Sequence, residues 1–120
     1  MVHSLHGDTL KPTPGMLADL DVLALDLQDV GTRFYTYIST LGLAMQAAAE
    51  AGIGFMVLDR PNPLGGNLVE GFTLEMENQS FIGMYPIPAT HGMTVGEVAR
   101  MLKGEHMLEG LDSLELVVVG

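Results

Sequence analysis

The chain has 120 residues, enough for one domain and too few for two, and its 48% hydrophobic content allows a sizeable core. No apolar run reaches the ~20 residues of a membrane span, and the start has neither the basic region nor the apolar stretch of a signal peptide. The formal net charge is −10, the only Lys and Arg residues (Lys11, Arg33, Arg60, Arg100 and Lys103) are scattered, and cysteine is absent; this excludes a basic nucleic-acid face, disulfides, thiolate metal sites and cysteine nucleophiles.

In chain order, Thr13-Pro14 opens a short predicted helix, with Thr as N-cap and Pro at the first helical position, running to about Asp19. Val22 to Asp26 is an apolar run ending in an acid, which predicts a strand buried on both faces. A polar stretch, Leu27 to Tyr35, leads into a helix predicted from about Phe34 to Ala51. Ile38, Leu41, Met45 and Ala48 fall at helical spacing there, and Gly52 suits the C′ position. Ile53 to Leu58 is a second buried strand, ending at Asp59.

From Arg60 to His91 there is little periodicity, and four of the six prolines fall in it. Long irregular segments in a compact domain are usually functional. Thr94-Val95-Gly96-Glu97 matches a capping box and predicts a helix from about Val95 to Lys103; Leu114 to Val119 is a third apolar strand.

Strands alternating with helices predict an α/β unit with a mostly parallel sheet and right-handed crossovers. The loop-like beginning and the apolar last strand mark 1–120 as part of a single, incomplete domain. Ligands of such sheets bind beyond the carboxyl ends of the strands. That rule puts Asp26 to Arg33 and Asp59 to Asn62 on one rim.

Four clusters carry chemistry. Asp26, Gln28, Asp29, Arg33, Tyr35 and Tyr37 can bind sugar hydroxyls, orient water or transfer protons. Equally, Asp29 and Arg33 form an ion pair and Asp26 caps the next helix. Asp59-Arg60-Pro61-Asn62-Pro63 is stiffened by its prolines. It is either a preorganised polar loop or a turn in which Asn62 satisfies its own backbone. Glu70, in Val69-Glu70-Gly71, is a site acid or merely solvated. His91 precedes a helix N-terminus, where anions bind, and is otherwise a loop histidine. His3-x-x-His6-x-Asp8 has metal-ligand residue types but lies at the chain start, so no metal is assigned. Dinucleotide, Walker A and nucleophile-elbow motifs are absent.

Taken together, the clusters resemble the NamZ-type exo-β-N-acetylmuramidases, long catalogued as a domain of unknown function. The matching strings are Ser4-Leu5-His6-Gly7 with Lys11-Pro12-Thr13-Pro14; Asp26-Leu27-Gln28-Asp29-Val30-Gly31 through Arg33-Phe34-Tyr35-Thr36-Tyr37; Asp59-Arg60-Pro61-Asn62-Pro63; Val69-Glu70-Gly71; and Tyr85-Pro86-Ile87-Pro88 with His91-Gly92-Met93-Thr94. They keep the family's order and span nearly the whole chain.

The resemblance implies a Rossmann-like N-terminal domain, with a smaller C-terminal domain in full-length members. It implies release of N-acetylmuramic acid from the non-reducing ends of peptidoglycan fragments, and action outside the cytoplasm, secreted or periplasmic, in many members. No cofactor enters this chemistry. The family also carries a Pro-Glu-His-Gly-Phe segment upstream of the first matching string, with a leading catalytic Glu. This chain starts after that point, so on this reading the fragment by itself is inactive.

Most glycosidases flank the scissile bond with two carboxyl groups. Asp29, Asp59 and Glu70 are the acids placed to serve as the partner carboxylate. Gln28, Arg33, Tyr35, Tyr37, Arg60, Asn62 and His91 are the substrate-binding candidates. The lactyl carboxylate of N-acetylmuramic acid calls for a cation, and Arg33 and Arg60 sit in the rim motifs. A non-catalytic module that binds cell-wall sugars is the competing reading.

Overall fold

A computed structural model describes residues 2–120. It contains three helices and three strands alternating along the chain. Helix α1 (Pro14–Leu17) is started by Thr13, whose hydroxyl accepts from the Met16 amide at 3.4 Å. It stops short of Asp19 because the Leu20 amide turns back onto the Leu17 carbonyl. Strand β1 (Val22–Leu25) follows, then α2 (Tyr37–Ala51), β2 (Gly54–Leu58), α3 (Val95–Gly104) and β3 (Leu116–Val119), with a single 3-10 turn at Met76–Asn78.

The three strands form one parallel sheet in the order β1-β2-β3. Leu23, Phe55 and Leu116 stand abreast, as do Leu25, Val57 and Val118. These two rows point at α2 and α3, which pack against each other and close the core with Leu41, Met45, Val98 and Leu102. Near its start α2 is buried on most of its circumference. The Tyr85 hydroxyl reaches it from the long loop, donating to the Ile38 carbonyl at 2.9 Å.

Burial of the strands on both faces, predicted from their apolar runs, holds for one face only. The alternate residues Val22, Leu58, Val117 and Val119 are 48%, 37%, 43% and 45% exposed. Two successive crossovers of the same hand, joining neighbours in one direction across the sheet, put both helices on the same side. The second face has no layer against it among the described residues.

Helix α2 begins at Tyr37 and not at Phe34. Arg33 is pinned by its amide to the Ala89 carbonyl at 2.8 Å, and Tyr35 turns back to Thr32 at 3.2 Å, so helical geometry starts only after them. At its other end Gly52 takes the left-handed conformation (φ 70°) and its amide returns to Ala48 and Ala49. Ile53 is still part of that cap, which delays β2 to Gly54. Leu114 likewise belongs to a turn, closed on Leu111, and β3 starts two residues later than its apolar run.

Candidate active site

The carboxyl ends of β1 and β2 lie side by side, and the polar clusters meet there. Arg60 forks onto Asp26, with Nη2 and Nε at 2.6 and 2.8 Å from the same Oδ1. Both side chains are about half exposed, so the pair contributes roughly 0–1 kcal/mol and can be exchanged for a ligand. The Gln28 amide donates to the Asp29 carbonyl (2.7 Å) and the Pro61 carbonyl (3.1 Å), strapping the two loops together.

Asn62 is a third strap. Its Nδ2 donates to the Met93 carbonyl and its Oδ1 accepts from the Leu64 amide, both at 2.9 Å. The second bond is the local turn foreseen for this residue, and the first is long-range. The carboxamide lies on Gly31, whose φ of 83° and lack of a Cβ both matter: a methyl group there would overlap the Asn62 oxygen.

Asp59 is half-buried, with both carboxylate oxygens engaged. Its Oδ2 accepts from the Thr94 hydroxyl at 2.7 Å, and Oδ1 from the Gly96 and Arg60 amides at 2.8 and 3.1 Å. It thus joins Thr94 in capping α3, beside the capping box of Thr94 and Glu97.

Asp29 is not paired with Arg33. It is 5% exposed and faces His91, also 5% exposed, with Nε2 3.5 Å from Oδ2. The Gly31 amide donates to Oδ2 at 3.2 Å. Arg33 is itself buried, at 8% exposed, and spends Nη1 on the Phe72 and Ile87 carbonyls at 2.6 and 2.7 Å. It fastens the long loop to the domain, with its guanidinium over the exposed Phe34 ring at 5.1 Å.

His91 belongs to a small antiparallel patch. Thr90 bridges Thr32 on one side and Glu70 on the other. The Glu70 and Thr90 amides exchange bonds with each other's carbonyls at 3.0 and 2.8 Å. Glu70 is exposed. Its carboxylate has no hydrogen bond or ion pair among the described residues, which leaves it free for a ligand. Sequence reasoning had no signal for the central role of Thr90, because a bridge between distant loops leaves no periodic trace.

Tyr35 and Tyr37 stack edge to face, with ring centroids 4.8 Å apart. The Tyr37 phenol is the main reason that Tyr35 holds its proton above the ordinary tyrosine range, followed by partial burial and the charge of Asp29. Tyr35 is therefore a hydroxyl donor at neutral pH. The hollow between Gln28, Arg60, Asn62 and Thr94 is too narrow to enclose even a water molecule. A sugar site needs several hundred Å³, so these residues form part of a wall. Among the described residues no group of three or more acids and histidines converges to hold a metal, and no helix is long and apolar enough to cross a membrane.

A parallel α/β unit with its polar side chains gathered at the carboxyl ends of the strands is of the Rossmann-like class, whose members bind ligands at that end of the sheet. The family model described as "Exo-beta-N-acetylmuramidase NamZ, N-terminal" matches residues 1–120, and the chain belongs to that family. It is 60% identical over 108 residues to the peptidoglycan beta-N-acetylmuramidase NamZ of Bacillus subtilis (strain 168), a match covering 90% of this chain and 26% of that protein. A crystal structure of a DUF1343 family protein from Bacteroides fragilis superposes with a TM-score of 0.93 at 52% identity, over 98% of this chain and 30% of the other. A second DUF1343 family structure from the same organism gives 0.84 at 42% identity, over 92% and 31%. The chain thus spans about a quarter to a third of the length of these relatives.

Proposed function

We propose that this chain supplies one wall of the active site of a glycoside hydrolase that releases N-acetylmuramic acid from the non-reducing ends of peptidoglycan fragments, outside the cytoplasm. The observation that carries the reading is the 60% identity to the Bacillus subtilis peptidoglycan beta-N-acetylmuramidase across nine-tenths of the chain. The rim geometry then distributes the roles. Glu70, exposed and unpaired, is the carboxylate that this chain offers to the reaction. Arg60 exchanges Asp26 for the lactyl carboxylate of the sugar, in the bidentate geometry that guanidinium favours. Tyr35 and Tyr37 face hydroxyls, and Gln28, with its amide N–H groups spent on the loops, accepts from them through Oε1. Asp29, Asp59, Asn62, Arg33 and His91 hold the loops from beneath.

One observation favours a second reading, a sugar-binding module without catalysis. Asp29 and Asp59 are committed internally, so only Glu70 among the three candidate acids is free, where hydrolysis ordinarily uses two carboxyl groups. In the hydrolase reading the second acid comes from the rest of the protein. The deciding experiment incubates the full-length protein carrying this chain with a defined muramyl disaccharide and follows free sugar by mass spectrometry. Release that is lost in Glu70→Gln supports the hydrolase. Tight binding of the disaccharide without release, between pH 5 and 8, supports the module.

A further inference from the structure

Beneath the rim, two buried side chains face each other without completing a bond. Asp29 Oδ1 and His91 Nε2 are both out of contact with solvent and without a partner among the described residues. The other ring nitrogen is occupied: His91 Nδ1 accepts from the Met93 amide at 3.2 Å. A nitrogen that accepts carries no proton, so the neutral imidazole has its proton on Nε2, which lies 3.5 Å from Asp29 Oδ2 without a hydrogen bond to it. The backbone of the same residue is also tied, with the His91 amide on the Gly31 carbonyl at 3.4 Å.

What this anchors is the segment on either side. Thr90 exchanges two backbone bonds with Glu70. Gly92, at φ 69°, lets the chain pass so close to Val69 that a Cβ there would stand 2.9 Å from the valine Cγ2. Residues 90 and 92 therefore grip residues 70 and 69, and His91 between them is bonded to Met93 and Gly31 and buried against Asp29.

We propose that His91 is a positioning residue for Glu70: buried against Asp29 and bonded to Met93 and Gly31, it fixes the 90–92 segment to which the Glu70 backbone is bound. This rests on the reading of Glu70 as the reactive acid. His91 itself touches no substrate; it acts through Thr90.

The test uses the full-length protein in wild-type, His91→Ala and His91→Gln forms, with two readouts. In amide hydrogen exchange, His91→Ala speeds exchange at the Glu70 and Thr90 amides at least tenfold while the Phe55 and Val57 amides in β2 are unchanged. In turnover of a muramyl disaccharide, His91→Ala lowers kcat at least tenfold with KM within about twofold. His91→Gln, which keeps an N–H within reach of Asp29, restores most of both. Where His91→Ala fails to fold, Asp29→Asn takes its place, with the same amides expected to loosen.

Unchanged exchange at Glu70 and Thr90 overturns the proposal, as does full kcat in a folded His91→Ala protein or a glutamine variant no better than alanine. A wild-type protein that releases no sugar overturns the hydrolase reading and with it the assignment of Glu70. The exchange result then still decides whether His91 anchors the 90–70 bridge.

Discussion

The Asp59 carboxylate accepts the Thr94 hydroxyl at 2.7 Å, while the same hydroxyl accepts the Glu97 amide at 3.1 Å. With the Gly96 amide on the other carboxylate oxygen, the end of β2 is thereby wired to the start of α3 twice. Asp59→Ala removes three accepted bonds, two of them at the start of α3, and is expected to cost about 1–3 kcal/mol. Chemical denaturation of the full-length protein measures it. Asp59→Asn, which keeps one acceptor, is expected to lose less.

Glu70→Gln is expected to leave stability within about 0.5 kcal/mol of wild type, because the side chain is exposed and unpaired. Turnover is expected to fall by at least a hundredfold. Retention of activity would remove Glu70 from the chemistry. A large drop in stability would show that the carboxylate is used structurally.

The two rim arginines are expected to behave oppositely. Arg33→Gln withdraws a buried cation from two carbonyls and is expected to destabilise by about 2–4 kcal/mol, with sugar selectivity intact. Arg60→Gln breaks a half-exposed pair, costs under about 1 kcal/mol, and is expected to weaken the preference for N-acetylmuramic acid over its lactyl amide by about tenfold or more. Paired thermal melts and competition binding separate these outcomes.

The contrast between these arginines also marks what sequence reading reaches. Asp29 and Arg33 are four apart, a spacing that joins side chains on a helix, and the segment is not helical. Arg33 is pinned to Ala89 and Phe72, and Asp29 faces His91, all in the long irregular segment further along the chain. Periodicity reports on local geometry, so it found the Thr94 capping box, the Gly52 cap and the three apolar strands within a residue or two. The side-by-side rim followed from a topological rule. Which face of the sheet is covered did not follow from apolar runs, since Val117 and Val118 look alike in sequence and only the crossovers distinguish them. Nor did the sequence separate acids that cap, pair or stand free.

Burial holds the proton on Tyr85 well beyond the ordinary tyrosine range, opposed only in part by the backbone of Gly42. Its contribution to stability is complete below the unfolded-chain value of about 10 and is lost as pH rises above it, because the unfolded chain gives up the proton first. Stability is therefore expected to fall above about pH 10 with a component of up to ~1.4 kcal/mol per pH unit. Tyr85→Phe should lack that component, and should cost about 0.5–1.5 kcal/mol at neutral pH for the bond to Ile38. Denaturation curves of both proteins from pH 7 to 11 give the difference.

Val22, Ala24, Leu58, Val117 and Val119 make one side of the sheet a greasy plane, in a molecule whose formal charge is −10. Charge repulsion between copies reaches about 8–10 Å at physiological ionic strength and shortens as salt is added, whereas attraction between apolar planes strengthens with sulfate or phosphate. The 120-residue chain expressed by itself will then have colloidal behaviour set by salt: dispersed in dilute buffer, clustering face to face as ammonium sulfate rises. Replacing Val117 and Val119 by lysine or threonine, on the bare side and away from the core, is the change that would turn the piece into a tractable reagent without touching the rim.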